Sequence, residues 1–306
     1  MRRFMPSLYF IIGPSAVGKS ELALALAERM GAELLYCDAS CVYRGMDIGT
    51  AKPTSAERAR VPHHGLDLVD ADKPFTIGDY VDYARHVVED CARRAKPLII
   101  SGGSGFYARS FFHPVIDSTE PDAAVRERVR GMSPEEALAE LCSLNPEGVK
   151  GLDLQNPRRV QAALERCLAS GRPLALLQAD YRAQPEPYAG YEKHLCLLSR
   201  SREDLHERIA LRTRQMLDAG LVEEVRRLRA EGFEANASAA GAIGYRETLR
   251  WLSEESGDTS SLAEEIAHNT RRLVKKQNSF FRNQLPQGHT LLLPPGGTVD
   301  ASLLFA

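Results

Sequence analysis

The sequence has almost no net charge and no long apolar run. Its 39 lysines and arginines nearly balance 41 aspartates and glutamates, and the formal net charge is -2. Because this balance does not indicate a nucleic-acid-binding chain as a whole, any basic surface has to be local. No stretch approaches the roughly 20 apolar residues that cross a membrane. We therefore expect a cytoplasmic protein without a membrane segment.

The cysteines and histidines lack the spacing of a metal site. The neighbours His63 and His64 have no second pair at ligand spacing, which favours a structural role over metal binding. The six cysteines are scattered, mostly within apolar runs, and this predicts buried thiols in a reducing compartment. They are Cys37, Cys41, Cys91, Cys142, Cys167 and Cys196.

The first part of the chain alternates predicted strands and helices. Short apolar runs at residues 7–12, 33–37 and 97–101 predict buried strands. Segments with helical periodicity at residues 20–30 and 76–94 lie between them. Such alternation predicts an α/β fold with a parallel, doubly wound sheet.

Helices alone follow from about residue 115. A chain of 306 residues can hold two domains, so this change of pattern predicts a helical insertion domain that interrupts the α/β core. We place the insertion at residues 115–193 and the core at residues 1–114 and 194–306. The other predicted elements are helices at 120–132, 133–144, 156–170, 202–217, 221–231 and 262–284, a linker at 178–194, and strands at 194–199 and 289–293.

A phosphate-binding loop follows the first predicted strand. Residues 13–20, GPSAVGKS, match the P-loop pattern G-x-x-x-x-G-K-[ST] between a strand and a helix. Loop amides and the helix N-terminus attract an anion, Lys19 adds a positive charge, and the Ser20 hydroxyl suits Mg²⁺. The pattern indicates a polyphosphate without identifying it. The predicted phosphate-binding residues are Gly13, Pro14, Ser15, Ala16, Val17, Gly18, Lys19 and Ser20.

The third predicted strand does not end in a carboxylate. Its sequence continues LIISGGSGF, whereas an NTP-hydrolysing P-loop enzyme usually holds its magnesium with an acidic residue at such a strand end. The nearest carboxylate is Asp38, which ends the second predicted strand. Small-molecule kinases of the shikimate kinase type also have an aspartate there. The function of a P-loop kinase therefore remains an alternative at this point.

The segment after the second strand resembles the signature of tRNA dimethylallyltransferases, also called tRNA isopentenyltransferases. That segment, residues 38–53, has the sequence DASCVYRGMDIGTAKP. The resemblance covers nearly the whole chain. The sequence shows no pattern like the C-terminal zinc finger of the longer eukaryotic members, so it is more similar to the bacterial members. Further stretches similar to the family are PHHGLD at 62–67, GGSGFY at 102–107, NPRRV at 156–160, MLDAGLVEEV at 216–225, AIGYRE at 242–247 and NTRRLVKKQNSFFR at 269–282.

The resemblance implies a prenyl transfer to RNA. A dimethylallyl group moves from dimethylallyl diphosphate to the N6 amine of adenosine at tRNA position 37, next to the anticodon, and diphosphate leaves. The P-loop then holds the donor diphosphate, with Mg²⁺ on Ser20, and neutralises the leaving group together with Lys19. Asp38 orients the amine and accepts its proton. Arg271 is a further candidate for a diphosphate contact.

The resemblance also implies a set of tRNA contacts. Three family positions that often carry Ser, Gln and Arg are Ala39, Cys41 and Ala162 here, and each change removes a polar contact. Ser104 stands where Thr is frequent and keeps a hydroxyl. The predicted tRNA-binding residues are Asp38, Ala39, Ser40, Cys41 and Ser104 in the core, and Arg126, Arg158, Arg159, Val160, Gln161 and Ala162 in the insertion.

Two other activities remain as alternatives. A P-loop small-molecule kinase explains the loop and Asp38 but gives the second half of the chain no role. An isopentenyltransferase that acts on free AMP shares the chemistry, but the helical insertion and the basic C-terminal helix suit a large RNA better. We expect a monomer whose partners are the anticodon stem-loop of tRNA and dimethylallyl diphosphate, with Mg²⁺ as its cofactor.

Overall fold

Parallel strands form a single sheet of six in the computed structural model, which describes residues 6–115, 119, 121–254, 258–297 and 299–305. Residue 120, the first of one predicted helix, and both ends of the predicted core lie outside these ranges. The strands are β1 (Ser7–Ile12), β2 (Glu33–Tyr36), β3 (His63–His64), β4 (Leu98–Gly102), β5 (Glu192–Ser199) and β6 (His289–Leu292). Their order is β3-β2-β4-β1-β5-β6, with every pair parallel. The predicted parallel sheet is therefore confirmed.

Helices connect the strands and follow them. Two short 3₁₀ helices lie at Phe233–Ala235 and Ala301–Phe305. The α-helices are α1 (Lys19–Met30), α2 (Ser55–Arg58), α3 (Ile77–Arg93), α4 (Gly105–Arg109), α5 (Ala123–Arg130), α6 (Pro134–Leu144), α7 (Pro157–Ser170), α8 (Leu174–Ala183), α9 (Arg202–Asp218), α10 (Leu221–Ala230), α11 (Ala237–Ala240), α12 (Tyr245–Ser253) and α13 (Thr259–Gln284). None of the helices in the described ranges is both long enough and apolar enough to cross a membrane.

The sheet is buried on both faces, as a doubly wound fold requires. Successive strand residues point to opposite faces, so Phe10 and Ile11 enter different hydrophobic clusters. Ile11 packs in a cluster with Leu22 of α1, and Phe10 packs in a cluster with Tyr80 of α3. Both strand residues are fully buried. This explains why the strands are continuous apolar runs without polar alternation.

A third cluster anchors the segment that follows β2. Tyr43 and Met46 of this segment are buried against Val225 of α10 and Tyr245 of α12. The segment therefore lies outside the sheet but is held by buried side chains. Its residues Gly49 and Thr50 line the candidate site, which also includes Ser15, Asp38 and Gly103 from just beyond the carboxyl ends of β1, β2 and β4.

The chain forms two compact units. One comprises Met1–Phe112 with Tyr188–Ala306, and the other is His113–Pro187. The core begins again before the predicted residue 194, because β5 starts at Glu192 and pairs with Ser7 of β1. The second unit has a hydrophobic core of its own, formed by Val129, Ala137, Leu141, Val160, Ala163, Leu164, Cys167, Leu174 and Leu177.

Two expectations about this part of the sequence are wrong. Residues 178–183 of the predicted linker are helical, since α8 buries Leu174 and Leu177 in the core of the second unit. The amide of Leu174 donates to Oδ1 of Asn145 at 2.6 Å. Asn145 thereby supplies the acceptor for an N-terminal amide of α8, because the side chain of Pro173 has no hydrogen-bond acceptor. Among the thiols, that of Cys142 is exposed on α6, whereas the other five cysteines are buried.

Candidate active site

The P-loop turns sharply between β1 and α1. Ala16 and Gly18 have φ angles of 64° and 103°, in the left-handed region, and this aims successive backbone amides into one concave surface. A Cβ atom on Gly13 would lie 2.8 Å from the carbonyl oxygen of Leu198, so β5 leaves room only for glycine there. The loop ends at the N-terminus of α1, a second source of positive potential.

Side chains from the second half of the chain hold the loop. Nε of Arg208 donates to the Ala16 carbonyl at 2.9 Å, and Nε of Arg200 donates to the Val17 carbonyl at 2.8 Å. Gln277 of α13 accepts from the Ser15 amide at 3.0 Å. These contacts fix the loop before any anion arrives, which lowers the ordering cost of binding.

Arg200 also ties the loop to the segment after β6. Its side chain is almost fully buried and pairs with Asp204 at 2.8 Å. The same guanidinium donates to the carbonyl oxygens of Pro294 at 2.6 Å and Gly297 at 2.8 Å. One arginine therefore joins the P-loop, α9 and the C-terminal segment.

Lys19 lies at the start of α1 with its Nζ donating to the Pro14 carbonyl at 2.8 Å. Burial, together with the nearby charge of Arg212, lowers the pKa of Lys19 to about 8, although the charge of Asp38 acts in the opposite direction. In the described part of the chain Lys19 has no ion-pair partner. The ammonium group is therefore poised to exchange a carbonyl contact for an anion.

Two adjoining cavities meet beside the loop. The first, which we call the phosphate cavity, has a volume of about 590 Å³. The second, the apolar cavity, has a volume of about 390 Å³. The phosphate cavity is lined by residues that include Lys19, Ser20, Arg208 and Gln215, and the apolar cavity by residues that include Ile209, Met216, Ile243, Leu273 and Phe280. Both cavities share Ser15, Ala16, Asp38, Thr50, Gly103 and Arg212.

Asp38 lies where the two cavities meet. It follows β2, is half-buried, and its Oδ1 accepts from the Ser40 amide at 2.9 Å, which forms a local turn. Oδ2 receives no hydrogen bond from the described residues. A Cβ atom on Gly102 would lie 2.0 Å from the Cys37 carbonyl oxygen, so the ends of β2 and β4 are in direct contact. This close approach brings Ser104 to the apolar cavity beside Asp38.

Two arginines that the sequence analysis did not identify as candidate site residues also line the phosphate cavity. Arg208 and Arg212 are one turn apart on α9 and both line the phosphate cavity. Nη2 of Arg212 donates to the Thr50 carbonyl at 3.4 Å. Burial lowers the pKa of Arg212, while the charge of Asp38 raises it. The spacing in LHERIALR is helical, but the helix also carries Arg202 and Arg214, and spacing alone does not select among them.

The structure brings most of the predicted core residues together. Cys41 lines the phosphate cavity, and Ala39 and Ser40 line the apolar cavity. The side chain of Val17 is buried in the core instead, so only its backbone can meet a ligand. Arg271 lines neither cavity. It lies with Ala210, Arg214 and His268 in a separate groove between α9 and α13.

The predicted RNA contacts of the insertion lie on two helices of the second unit. Arg126 of α5 and Arg158 and Arg159 of α7 are exposed, and Arg159 is 3.7 Å from a carboxylate oxygen of Asp153. Gln161 is half-buried and Ala162 is exposed on α7. Val160 is buried in the core of that unit, so its side chain is not available to RNA.

A group of potential metal ligands lies away from the loop. Ligand atoms of Glu33, His64 and Cys91 lie within 4.8 Å of one another, at the amino end of β2 and beside it. Arg94 already binds both carboxylate oxygens of Glu33, at 2.6 and 2.9 Å, and holds the pKa of Glu33 at about 2. Within the described ranges this arrangement is an ion-pair network, consistent with a structural role for His64.

Comparisons with known proteins converge on one family. The model of the IPP transferase family matches residues 41–284. A tRNA dimethylallyltransferase of Opitutus terrae is 50% identical over 299 residues, which are 96% of this chain and 97% of that protein. A tRNA dimethylallyltransferase of Geobacter metallireducens is 39% identical over 279 residues, 90% of this chain and 89% of that protein.

Solved structures show the same likeness. The tRNA delta(2)-isopentenylpyrophosphate transferase of Staphylococcus epidermidis is 31% identical, with a TM-score of 0.66 over 94% of this chain and 93% of that chain. A eukaryotic dimethylallyltransferase acting on tRNA has a TM-score of 0.82 over 94% of this chain and 73% of that chain. Its identity is 23%, so it supports the fold alone.

Proposed function

The chain belongs to the IPP transferase family, and from that premise we propose that it transfers a dimethylallyl group from dimethylallyl diphosphate to the N6 amine of adenosine at position 37 of tRNA, next to the anticodon. Diphosphate leaves in the reaction. The observation that carries the proposal is the meeting of a cationic phosphate cavity with an apolar cavity at one carboxylate, Asp38.

The donor fits the two cavities in one orientation. Its diphosphate belongs beside the P-loop, where Lys19, Arg208 and Arg212 supply positive charge. Its five-carbon chain belongs against the apolar walls contributed by residues such as Ile209 and Met216. As the bond from the allylic carbon to oxygen breaks, these cations and amides stabilise the negative charge that grows on the leaving diphosphate.

Asp38 serves the acceptor amine. The lone pair of an exocyclic adenine amine is delocalised into the ring, so the amine needs orientation and loss of a proton to form the new carbon–nitrogen bond. A carboxylate at hydrogen-bond distance supplies both, and the proton passes from nitrogen to Asp38 as the bond forms. Oδ2, to which no described residue donates a hydrogen bond, belongs to a residue that lines both cavities, and this supports the role.

Ser20 is the residue that would hold Mg²⁺. Its hydroxyl is exposed and lines the phosphate cavity, and Mg²⁺ prefers hydroxyl, carboxylate, phosphate and water oxygens. Bound there, the ion would neutralise charge on the leaving diphosphate. Ser20 is one of several oxygen-bearing side chains that line this cavity, and diphosphate and water oxygens would supply further ligands of the ion.

The second unit is the proposed RNA clamp. Arg126, Arg158 and Arg159 are exposed on its surface, and arginine pairs well with phosphate. Such contacts hold the anticodon stem-loop while the target base is turned out of the loop. Ala39 and Ser40 contact the RNA on the core, at the opening of the apolar cavity.

We further propose that the protein acts as a monomer in the cytoplasm, where its tRNA substrate is.

A direct assay tests the proposed function. The protein, an anticodon stem-loop with adenosine at position 37, dimethylallyl diphosphate and Mg²⁺ are incubated together, and the digested nucleosides are analysed by mass spectrometry. We expect dimethylallyl adenosine from this RNA and none from a matched stem-loop with guanosine at that position. Steady hydrolysis of ATP without prenylated product would support a kinase instead. Equal rates on free AMP and on the stem-loop would support a free-nucleotide enzyme.

A further inference from the structure

Glu224 is a buried carboxylate to which the proposed reaction assigns no task. It lies in the first turn of α10 and is 7% exposed. Its Oε2 accepts from the amides of Asp47 at 3.0 Å and Ile48 at 2.8 Å, and its Oε1 accepts from the amide of Gly49 at 3.3 Å. These three consecutive amides form a cradle for the carboxylate, so the buried charge is well solvated by the backbone.

Tyr245 completes this arrangement. Its hydroxyl donates to Oε1 of Glu224 at 2.7 Å, and its ring lies against the backbone of the 47–50 loop. A Cβ atom on Gly49 would lie 2.5 Å from that ring, so the ring and the loop are in direct contact. Lys52, which follows the loop, binds back to its start, with Nζ 2.6 Å from the Tyr43 carbonyl oxygen and 2.9 Å from Oδ1 of Asp47.

The loop leads directly to the donor site. Thr50 lines both cavities, and its carbonyl oxygen accepts from Nη2 of Arg212. Among the described residues this is the hydrogen bond that locates the Arg212 guanidinium. Glu224 is therefore connected to Arg212 through one rigid stretch of backbone, although the two side chains belong to different helices.

We propose that Glu224 is a positioning residue for donor binding. It holds residues 47–50 so that the Thr50 carbonyl aims the Arg212 guanidinium into the phosphate cavity. The inference rests on the proposed function, because it takes the ligand of that cavity to be the donor diphosphate. Loss of Glu224 then weakens donor binding chiefly by displacing Arg212.

A general loss of stability would also weaken binding, so the test compares single and double variants. Inorganic pyrophosphate with Mg²⁺ is titrated into the full-length protein by calorimetry. We expect Arg212→Ala to weaken binding about ten- to a hundredfold and Glu224→Ala about tenfold. If Glu224 acts through Arg212, the double variant binds no more weakly than Arg212→Ala alone.

Milder variants and a matched control separate a specific effect on binding from an effect of misfolding. Glu224→Gln keeps the shape but presents one amide donor to the loop, and Tyr245→Phe removes a single hydrogen bond, so both should weaken binding less than Glu224→Ala. Glu223→Gln changes an exposed neighbour in the same turn, 69% exposed and paired only with Arg226 among the described residues, and should bind as the wild type does. In turnover assays the KM for donor should rise while the KM for RNA stays constant.

Three results separate the explanations. Losses that multiply in the double variant would overturn the inference, because they would show that Glu224 acts independently of Arg212. Wild-type affinity in folded Glu224→Ala or Glu224→Gln protein would overturn it as well. Failure of the wild type itself to bind pyrophosphate would contradict the proposed function, and this inference with it.

Discussion

Asp38 has two carboxylate oxygens in different surroundings. Oδ1 forms the turn with Ser40, and Oδ2, to which no described residue donates a hydrogen bond, is the atom that we propose for the acceptor amine. Asp38→Asn keeps the turn, because the amide oxygen also accepts from the Ser40 amide, but it cannot take up a proton. We expect turnover to fall by about two to four orders of magnitude. Pyrophosphate affinity, measured in parallel, should change little. Near-normal turnover in this variant would mean that Asp38 serves only the turn.

The lowered pKa of Lys19 predicts how donor binding depends on pH. Its pKa is lowered to about 8 in the free protein, and only its charged form attracts diphosphate. Below about pH 8 the charge is present; above it, binding requires uptake of a proton, so affinity falls by up to about tenfold for each pH unit. Calorimetry from about pH 7 to about pH 10 measures this fall.

Lys19→Arg is the matched control for that profile. The guanidinium stays protonated across the whole range, so its profile should be flat even if its affinity is lower. A flat profile for the wild type would show that Lys19 does not titrate in this range.

The residues of the donor site differ in how far local sequence predicts them. The P-loop and Asp38 follow from spacing within a few positions and from the strand that precedes each. Arg212 and Gln277 also line these cavities, although each lies more than a hundred positions after Asp38 in the sequence. Helical periodicity predicts α9 and α13, but several cations lie on each helix. Only the packing of the helices against the sheet decides that Arg212 faces the loop and Arg271 does not.

At the scale of elements, α7 presents the arginines that we expect to bind RNA phosphates. Arg158→Ala and Arg159→Ala should each weaken tRNA binding at low salt. Each should also reduce the slope of log affinity against log salt concentration by about 0.7–0.9, because one phosphate contact releases about that many counterions. Filter binding or fluorescence anisotropy across a salt series measures both effects.

Arg130→Ala is the control for these variants. Arg130 is exposed on α5 and already pairs with Glu127 at 2.9 Å, so its loss should leave the salt slope unchanged. A tRNA affinity that is insensitive to salt in the wild type would contradict the assignment of the second unit as a clamp.

Long, strongly periodic elements are predicted well from the sequence, and short ones are not. The strand at residues 7–12 and the helix α3 agree closely with prediction, because each buries a regular apolar pattern. β3 consists of two histidines, and no propensity indicates a strand of that length. The second half of α8 is polar and falls within the predicted linker, yet it is helical because Leu174 and Leu177 of the first half pack into the core of the second unit.

At the scale of the whole molecule, the second unit is expected to be separable. It has its own hydrophobic core, and the rings of Phe111 and Tyr188, next to the points where the core chain leaves and returns, stack at a centroid distance of 5.2 Å. A short glycine-serine linker can therefore replace residues 113–187. We expect this shortened protein to bind pyrophosphate like the full chain but to lose modification of tRNA.

The shortened protein must first be shown to fold by circular dichroism. The full chain with Glu223→Gln is a suitable reference for expression and handling. Continued modification of tRNA by the shortened protein would show that the core alone grips the RNA. Loss of pyrophosphate binding in a folded sample would show that the donor site depends on the second unit.

The contacts of Arg200 have a consequence for the order in which the protein matures during synthesis. During synthesis the P-loop is made about 180 residues before Arg200, which holds it, and Pro294 and Gly297 follow Arg200 only after more than 90 further residues. The central strand β1 likewise waits for β5, which is made about 180 residues later. The nascent chain therefore carries an unfinished phosphate loop until Arg200, Pro294 and Gly297 have been made. A chain that stops between residues 281 and 293 would contain every residue that lines the two cavities but would lack Pro294 and Gly297, whose carbonyl oxygens hold Arg200 beside the loop.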